Sequence, residues 1–275
     1  MNAGSNRIDR RFVELAARGE SALVTFITAG DPNPETTLAC MHALVRGGAD
    51  VIELGVPFSD PMADGPTIQR ASERALAGGM TLRKVLALAT AFRETDQATP
   101  LVLMGYLNPI EHMGYEAFAR SAAAGGVDGV LTVDLPPEEA AEFHAVTQRE
   151  GLAQIFLLAP TSSSARIQSV CNYASGFVYY VSVKGVTGQK SFEADDVLAR
   201  VKELKSNTQV PVGVGFGIRT PQAAAAVARG SDAVIVGSAL VEIIEAATDV
   251  AACERALETF VRGLKDAMNA TCAAA

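Results

Sequence analysis

The stretch Gly48-Ala49-Asp50-Val51-Ile52-Glu53-Leu54-Gly55 shows the pattern that decides the fold. A glycine suited to ending a helix is followed by a short turn and then by an apolar run typical of a strand buried on both faces. The same order returns at Gly126-Val127-Asp128-Gly129-Val130 and at Gly230-Ser231-Asp232-Ala233-Val234. The three stretches predict one repeated unit of helix, turn and buried strand.

Eight apolar runs of this kind alternate with longer segments of helical periodicity. The predicted strands cover 23–28, 51–54, 101–104, 129–133, 153–158, 177–182, 210–215 and 233–236. The predicted helices cover about 34–47, 67–77, 81–94, 115–124, 137–150, 164–172, 193–206, 220–229 and 250–268. An additional helix over 6–18 precedes the first strand, and the apolar pattern within 240–244 predicts a short additional helix after the eighth.

Eight such units in 275 residues have the size of an α/β fold of the (β/α)8 type, a TIM barrel. The competing fold is a doubly wound open sheet, in which a GxGxxG turn follows the first strand. Here the first strand is followed by Ala29-Gly30-Asp31-Pro32 instead. No change in composition marks a boundary, so we predict a single TIM-barrel domain over 1–275, frayed at 1–6 and 269–275.

Composition excludes several classes of protein. Hydrophobic residues make up 49% and charged residues 20% of the chain, which excludes a mainly disordered protein. The formal charge of -8 argues against a nucleic-acid partner. No apolar run reaches the roughly 18 residues of a membrane span, and residues 1–7 lack the apolar stretch of a signal peptide. We therefore expect a cytoplasmic protein with no membrane partner.

Histidine and cysteine are too scattered for a metal site. The three histidines and four cysteines form neither a CxxC pair nor an HExxH motif, so we expect no metal. Acid–base chemistry then falls to carboxylates, tyrosine or lysine. No nicotinamide or flavin motif is found, and no predicted strand contains the lysine expected of a Schiff-base mechanism.

Candidate catalytic residues are sought at the carboxyl ends of the strands, where a barrel has its active site. Glu53 lies in an apolar run, where a glutamate is costly unless it is paired or functional. Burial would raise its pKa and suit it to proton transfer near neutral pH, although an ion pair at the barrel rim is the alternative. The long loop 56–66 adds Asp60 and Asp64, which are either functional or turn and helix-cap residues.

Two further loops are candidates for substrate contacts. Segment 182–190 is a polar, glycine-bearing loop that is either a mobile lid or an ordinary surface loop. The seventh and eighth strands end in Gly215-Phe216-Gly217-Ile218 and in Gly237-Ser238 ahead of the short additional helix. Glycine amides and a helix N-terminus at this place form the usual phosphate site of the barrel. The residues thus predict a lyase, isomerase or aldolase for a small phosphorylated substrate.

The run from Glu53 to Pro66 resembles the signature of tryptophan synthase α chains. Further matches to that family occur in the same order over about residues 8 to 265: Phe26-Ile27-Thr28-Ala29-Gly30-Asp31-Pro32, Met104-Gly105-Tyr106-Leu107-Asn108-Pro109, Asp134-Leu135-Pro136, Gly185-Val186-Thr187-Gly188, Gly215-Phe216-Gly217-Ile218 and Gly237-Ser238. The long second-strand signature is highly specific, whereas each of the other matches is weak alone.

The resemblance implies cleavage of indole-3-glycerol phosphate to indole and glyceraldehyde 3-phosphate. It assigns acid–base catalysis to Glu53, acceptance of the indole N–H to Asp64 and a supporting role to Tyr179. It implies that Thr187 contacts the loop carrying Asp64. It also implies a phosphate site at Gly188, Gly217, Gly237 and Ser238, and an indole pocket lined by Phe26, Tyr106, Val133 and Phe216.

The resemblance further implies a partner. The family's α chain pairs with a β chain that carries pyridoxal phosphate, so this chain would bind no cofactor itself, would be part of an α2β2 assembly and would pass indole through a tunnel. One alternative is a stand-alone lyase that releases free indole. The other is a non-catalytic regulatory subunit that binds a phosphorylated ligand, which the presence of Glu53, Asp64 and Thr187 argues against.

Overall fold

Eight parallel strands pair in chain order and close into a barrel, because β8 pairs with β1 as well as with β7. The computed structural model describes residues 6–181, 194–215 and 217–272. The strands are β1 (Ala22–Thr28), β2 (Val51–Gly55), β3 (Leu101–Gly105), β4 (Gly129–Thr132), β5 (Ala153–Leu158), β6 (Val178–Val181), β7 (Val212–Gly215) and β8 (Ala233–Val236). The predicted α/β TIM barrel is confirmed.

The helices are α1 (Arg7–Ala17), α2 (Pro34–Gly47), α3 (Pro66–Ala77), α4 (Leu82–Arg93), α5 (Leu107–Met113), α6 (Tyr115–Ala124), α7 (Ala141–Arg149), α8 (Ser164–Tyr173), α9 (Ala194–Asn207), α10 (Pro221–Ala228), α11 (Ser238–Ala246) and α12 (Val250–Cys272). The predicted additional helices before β1 and after β8 are confirmed as α1 and α11. Over the described ranges, no single helix is long and apolar enough to cross a membrane. Only α3 and α4 together meet that test, and they bend by 95° at their junction.

Several predicted boundaries need correction. The helix predicted over 137–150 is a short 3-10 turn, Pro137–Glu139, followed by α7. The predicted fraying is wrong for Asn6, whose side chain accepts a hydrogen bond from the Ile8 amide, and for 269–272, because α12 continues to Cys272. The other terminal residues lie outside the described ranges.

Helix α5 is absent from the sequence prediction. Pro109 occupies its first turn, where proline is tolerated because the amide there needs no helical partner. The amide of Leu107 instead donates to Asp134 Oδ1 at 2.8 Å. That acceptor lies beyond the end of β4, so the contact that starts the helix comes from the tertiary structure.

Helix α1 closes the amino end of the barrel. Its buried side chains Ile8, Phe12 and Leu15 pack against the residues that fill the barrel interior, and the Phe12 ring lies 5.8 Å from the Phe177 ring. Substrate access is therefore directed to the opposite rim, where the strands have their carboxyl ends.

The repeated unit of the sequence has a physical counterpart in three aspartates. Asp50, Asp128 and Asp232 each stand before a strand and accept a hydrogen bond from an amide of the preceding strand. The distances from their Oδ2 atoms to the amide nitrogens of Leu23, Leu101 and Val212 are 2.8, 2.9 and 2.8 Å. Each aspartate amide also donates to the carbonyl of the same residue. The motif thus joins neighbouring strands at the amino end of the barrel.

We expect Asp128→Ala to lower the free energy of unfolding by about 3 to 5 kcal/mol, because it leaves a buried guanidinium without its carboxylate. Asp128 is buried and also accepts from Arg93 Nη2 and Arg7 Nη1, both at 2.9 Å. Urea titration measures the change. The matched control is Glu116→Ala, which removes an exposed ion pair with Arg149 and should cost less than about 1 kcal/mol. Equal losses in the two variants would contradict the role of Asp128.

Candidate active site

The carboxyl ends of the strands surround a cavity of about 170 Å³, which we call the Glu53 cavity. It combines one carboxyl and one phenol with apolar walls and a glycine-rich side. Its lining residues are Phe26, Glu53, Ile68, Met104, Tyr179, Val181, Gly215, Gly217, Ile218, Ile235, Gly237 and Ser238. Five of the sequence-predicted site residues beyond Glu53 therefore lie around one space.

Glu53 has no protein partner in the described part of the chain. It is fully buried on β2, and neither carboxyl oxygen has a hydrogen-bond partner among the described residues. Its strand neighbours Phe26 and Val102 are apolar. Burial raises the pKa of Glu53 to about 8, so the carboxyl is mostly protonated at neutral pH. The alternative reading, an ion pair at the barrel rim, is not seen among these residues, and the geometry favours proton transfer.

Tyr179 occupies the side of the cavity formed by β6 and β7. Its ring lies over Gly215, where a Cβ atom would come within 2.3 Å of Tyr179 Oη. Glycine at 215 is thus required for this ring position. Burial raises the pKa of Tyr179, with further contributions from the charges of Glu53 and Asp64. The phenol therefore remains a neutral hydrogen-bond donor near both carboxyls.

Asp64 is held at the mouth of the barrel by a hydrogen bond. Tyr106 Oη donates to Asp64 Oδ2 at 3.2 Å and accepts from the Ala63 amide at 2.9 Å. Gln69 Nε2 donates to the Asp64 carbonyl at 2.9 Å and so fixes the loop to α3. Burial raises the pKa of Asp64, an effect that the Tyr106 hydrogen bond opposes. The aspartate is therefore oriented by its neighbours through one of its two carboxylate oxygens.

The structure gives the two loop aspartates different surroundings, a distinction that the residue types alone left open and that the family resemblance made in favour of Asp64. Asp60 is exposed and accepts from Ser59 Oγ at 2.6 Å, which is a local turn contact. Asp64 is only partly exposed and lines a narrow cleft next to the Glu53 cavity. The cleft is also lined by Tyr106 and Val133, two of the residues predicted for the indole pocket. Phe26 lines both spaces and connects them.

The glycine-rich side of the cavity offers backbone amides. Gly217 has a φ of +52°, a left-handed conformation that favours glycine, and no atom of the described residues lies within 4 Å of where its Cβ would be. α11 begins at Ser238 directly after Gly237, and no side chain caps it. The Leu240 amide donates to the Gly237 carbonyl, so the amides that precede it at the start of α11, together with the helix dipole, favour an anion at this position.

Some predicted residues are not placed, and some lining residues were missed. Thr187, Gly188 and Phe216 lie outside the described residues. Sequence reasoning missed Ile68, Met104 and Thr28, of which Thr28 has a buried hydroxyl without a partner among the described residues. The period of two along a strand identifies Thr28 and Met104 as neighbours of Phe26 and Val102 on the interior face. Ile68 lies on α3, which follows the loop, so the period of two along a strand could not identify it.

Comparison with known proteins places the whole arrangement in one family. The family model of the tryptophan synthase alpha chain matches residues 12–269. The tryptophan synthase alpha chain of Laribacter hongkongensis is 58% identical over 265 residues, which cover 96% of this chain and 100% of that relative. The alpha chain of Cupriavidus pinatubonensis is 56% identical with the same coverage.

Solved structures agree with the sequence relatives. Tryptophan synthase subunit alpha from Legionella pneumophila has a TM-score of 0.90 at 45% identity, covering 97% of this chain and 100% of that chain. A tryptophan synthase structure from M. tuberculosis has a TM-score of 0.86 at 36% identity, covering 96% of this chain and 99% of that chain. With a barrel, a buried glutamate and a family match over almost its full length, the chain belongs to the tryptophan synthase alpha chain family.

Proposed function

We propose that Glu53, Asp64 and Tyr179 perform, in this chain, the reaction of its family, the cleavage of indole-3-glycerol phosphate to indole and glyceraldehyde 3-phosphate. The chain is thus a carbon–carbon lyase of tryptophan biosynthesis. The observation that carries the residue assignment is the buried Glu53 carboxyl, which has no hydrogen-bond partner among the described residues and a pKa raised to about 8. Such a group is protonated at neutral pH and free to give its proton to a substrate.

The reaction needs one proton to be delivered and one to be removed. Glu53 donates its proton to C3 of the indole ring, which leaves positive charge on the ring nitrogen. Asp64 accepts the hydrogen bond of the ring N–H and stabilises that charge. The bond between C3 and the glycerol side chain then breaks as the hydroxyl proton returns to the Glu53 carboxylate. Indole and an aldehyde result, and Glu53 regains its starting protonation state.

The two ends of the substrate are assigned to different parts of the site. The amides at Gly217, Gly237 and Ser238 bind the phosphate, and Gly188 joins them from outside the described residues. The ring lies in the pocket of Phe26, Tyr106 and Val133, to which Phe216 is added by the family motif. Thr187 contacts the loop of Asp64, and Tyr179 donates a hydrogen bond inside the cavity.

The family also implies how the chain works with a partner. We assign it a tryptophan synthase β chain in an α2β2 complex, with pyridoxal phosphate in the β chain, none in this chain, and indole passing between the sites. Met62 supports a partner at the rim, because this apolar side chain is 87% exposed in the loop that carries Asp64. A single domain and a cytoplasmic location complete the proposal.

We expect Glu53→Gln to lower kcat for indole-3-glycerol phosphate cleavage about 10²-fold to 10⁴-fold, because glutamine keeps the shape but supplies no proton. Indole release measured spectroscopically reports the rate, and circular dichroism confirms the fold. The control Glu116→Gln changes an exposed glutamate on α6 and should leave the rate unchanged. Cleavage by Glu53→Gln at the wild-type rate would exclude this mechanism, whereas a wild-type chain that binds phosphate but cleaves nothing would favour a regulatory binding subunit.

Glu53 should also make stability depend on pH. Its pKa is raised from 4.5 to about 8 in the folded chain, so between these values the folded state holds a proton that the unfolded state has lost. Wild-type stability relative to Glu53→Gln should therefore fall as pH rises, by up to about 1.4 kcal/mol per pH unit, and level off above about pH 8. Urea titrations of both proteins from pH 5 to 9 measure the difference. A constant difference would mean that Glu53 is not protonated in the folded chain.

An assay with and without a purified β chain distinguishes an α subunit from a stand-alone lyase. We expect cleavage by the isolated chain to be slow and to rise at least about tenfold when β chain is added, because the loop carrying Asp64 gains a partner. Rates measured at saturating substrate across a β-chain titration provide the test. Full activity of the isolated chain, with no response to the β chain, would support the stand-alone lyase.

A further inference from the structure

Glu242 on α11 connects three segments at the rim of the barrel. Its carboxylate accepts hydrogen bonds from both terminal nitrogens of Arg219, one of them at 2.9 Å, in the paired geometry that guanidinium and carboxylate favour. It also accepts from Thr67 Oγ1 at 3.3 Å. Arg219 lies in the loop after β7, and Thr67 lies in the first turn of α3.

Each of these three segments leads directly into the proposed site. Arg219 is two residues after Gly217, and Glu242 is one helical turn after Ser238, so both connect to the glycine-rich side. Thr67 is three residues after Asp64, whose carboxylate accepts a hydrogen bond from Tyr106 on the side of the site assigned to the indole ring. A single carboxylate thus joins the backbone that faces the phosphate to the loop that faces the indole ring.

The contacts act on geometry more than on global stability. Arg219 is 52% exposed and Glu242 39% exposed, and an ion pair so accessible to water contributes little to the free energy of unfolding. The Arg219 hydrogen bond is also the main reason that the pKa of Glu242 lies below its ordinary value, so the carboxylate is charged at neutral pH. Catalysis is sensitive to displacements of about 1 Å, which a weak contact is able to prevent.

Glu245, one turn further along α11, provides a natural comparison. It pairs with Arg70 and Arg74, both on α3, and Arg74 also binds Asp31 through two nitrogens at 2.8 Å. Glu245 therefore fastens α11 to α3 as Glu242 does. Unlike Glu242, it has no contact with the loop after β7 among the described residues.

We propose that Glu242 is a positioning residue for the lyase reaction, which holds the phosphate-binding backbone at a fixed span from Asp64 through Arg219 and Thr67. This inference rests on the proposed function, because it takes Gly217, Ser238 and Asp64 as the groups that contact the substrate.

The test compares Glu242→Gln with Glu245→Gln in the full chain. Inorganic phosphate, titrated calorimetrically, probes the glycine-rich side alone, and steady-state assays give kcat and KM. Glu242→Gln should weaken phosphate binding and raise KM about threefold to tenfold, and should also lower kcat. Glu245→Gln should change phosphate affinity and KM less than about twofold, although the two variants lose a carboxylate of similar exposure from the same helix.

Two further variants distinguish positioning from a general loss of structure. Thr67→Val should lower kcat and leave phosphate affinity unchanged, because it breaks only the contact toward Asp64. The double variant Arg219→Glu with Glu242→Arg restores an ion pair of opposite sense and should return phosphate affinity to within about twofold of wild type.

The outcomes separate this inference from the proposed function. If the wild-type chain binds phosphate and cleaves the substrate, but Glu242→Gln behaves like Glu245→Gln, the positioning role is wrong and the proposed function stands. Failure of the charge exchange to restore phosphate affinity in a folded protein also overturns it. If the wild-type chain neither binds phosphate nor cleaves the substrate, the proposed function itself fails.

Discussion

Closure of eight parallel strands into one barrel is the constraint on which the other features depend. A closed parallel barrel has no unpaired edge, and all its strands end at the same rim. α1 fills the amino end with Ile8, Phe12 and Leu15, so the carboxyl rim is the side left for a ligand. Residues distant in sequence, such as Glu53 on β2 and Tyr179 on β6, are thereby brought to one cavity.

Closure also sets the chemistry of Glu53. A side chain that points into the barrel from β2 is surrounded by other strands and not by water, so its charged form loses solvation. Phe26 and Val102 beside it supply no hydrogen bond. Burial of Glu53 lowers the stability of the folded chain at neutral pH. It also keeps the carboxyl protonated where the side chain lines the Glu53 cavity. Gly215 across the barrel leaves the volume that the Tyr179 ring fills.

Polar contacts at the two ends of the barrel serve different purposes. At the amino end, buried Asp128 joins strands and takes Arg93 as its partner, an arrangement whose loss costs stability. At the carboxyl end, Glu242 and Glu245 form exposed pairs that join loops and helices. These contribute little to the free energy of unfolding, yet they join segments that face the proposed substrate. The same kind of interaction therefore supports the fold at one end and the geometry of the site at the other.

The sequence by itself determined the alternation of strands and helices, the barrel class and the unusual position of Glu53. These features depend on local periodicity and on an acidic residue inside an apolar run, both of which can be read along the chain. The family motif added Tyr106 and Tyr179 as site residues and favoured Asp64 over Asp60. It did not show which contacts hold them, because a motif records residue types and not their neighbours across the barrel.

Only the tertiary structure decided the features that depend on distant partners. α5 begins at an amide bound by Asp134, which follows another strand. Asp64 is distinguished from Asp60 by the hydroxyl of Tyr106, and Glu53 lacks a partner among the described residues because the side chains beside it on the adjacent strands are apolar. The link from Glu242 to Thr67 and Arg219 spans 175 and 23 residues. Local sequence reports which face of an element is buried, whereas the partner on the other side is fixed only when the barrel closes.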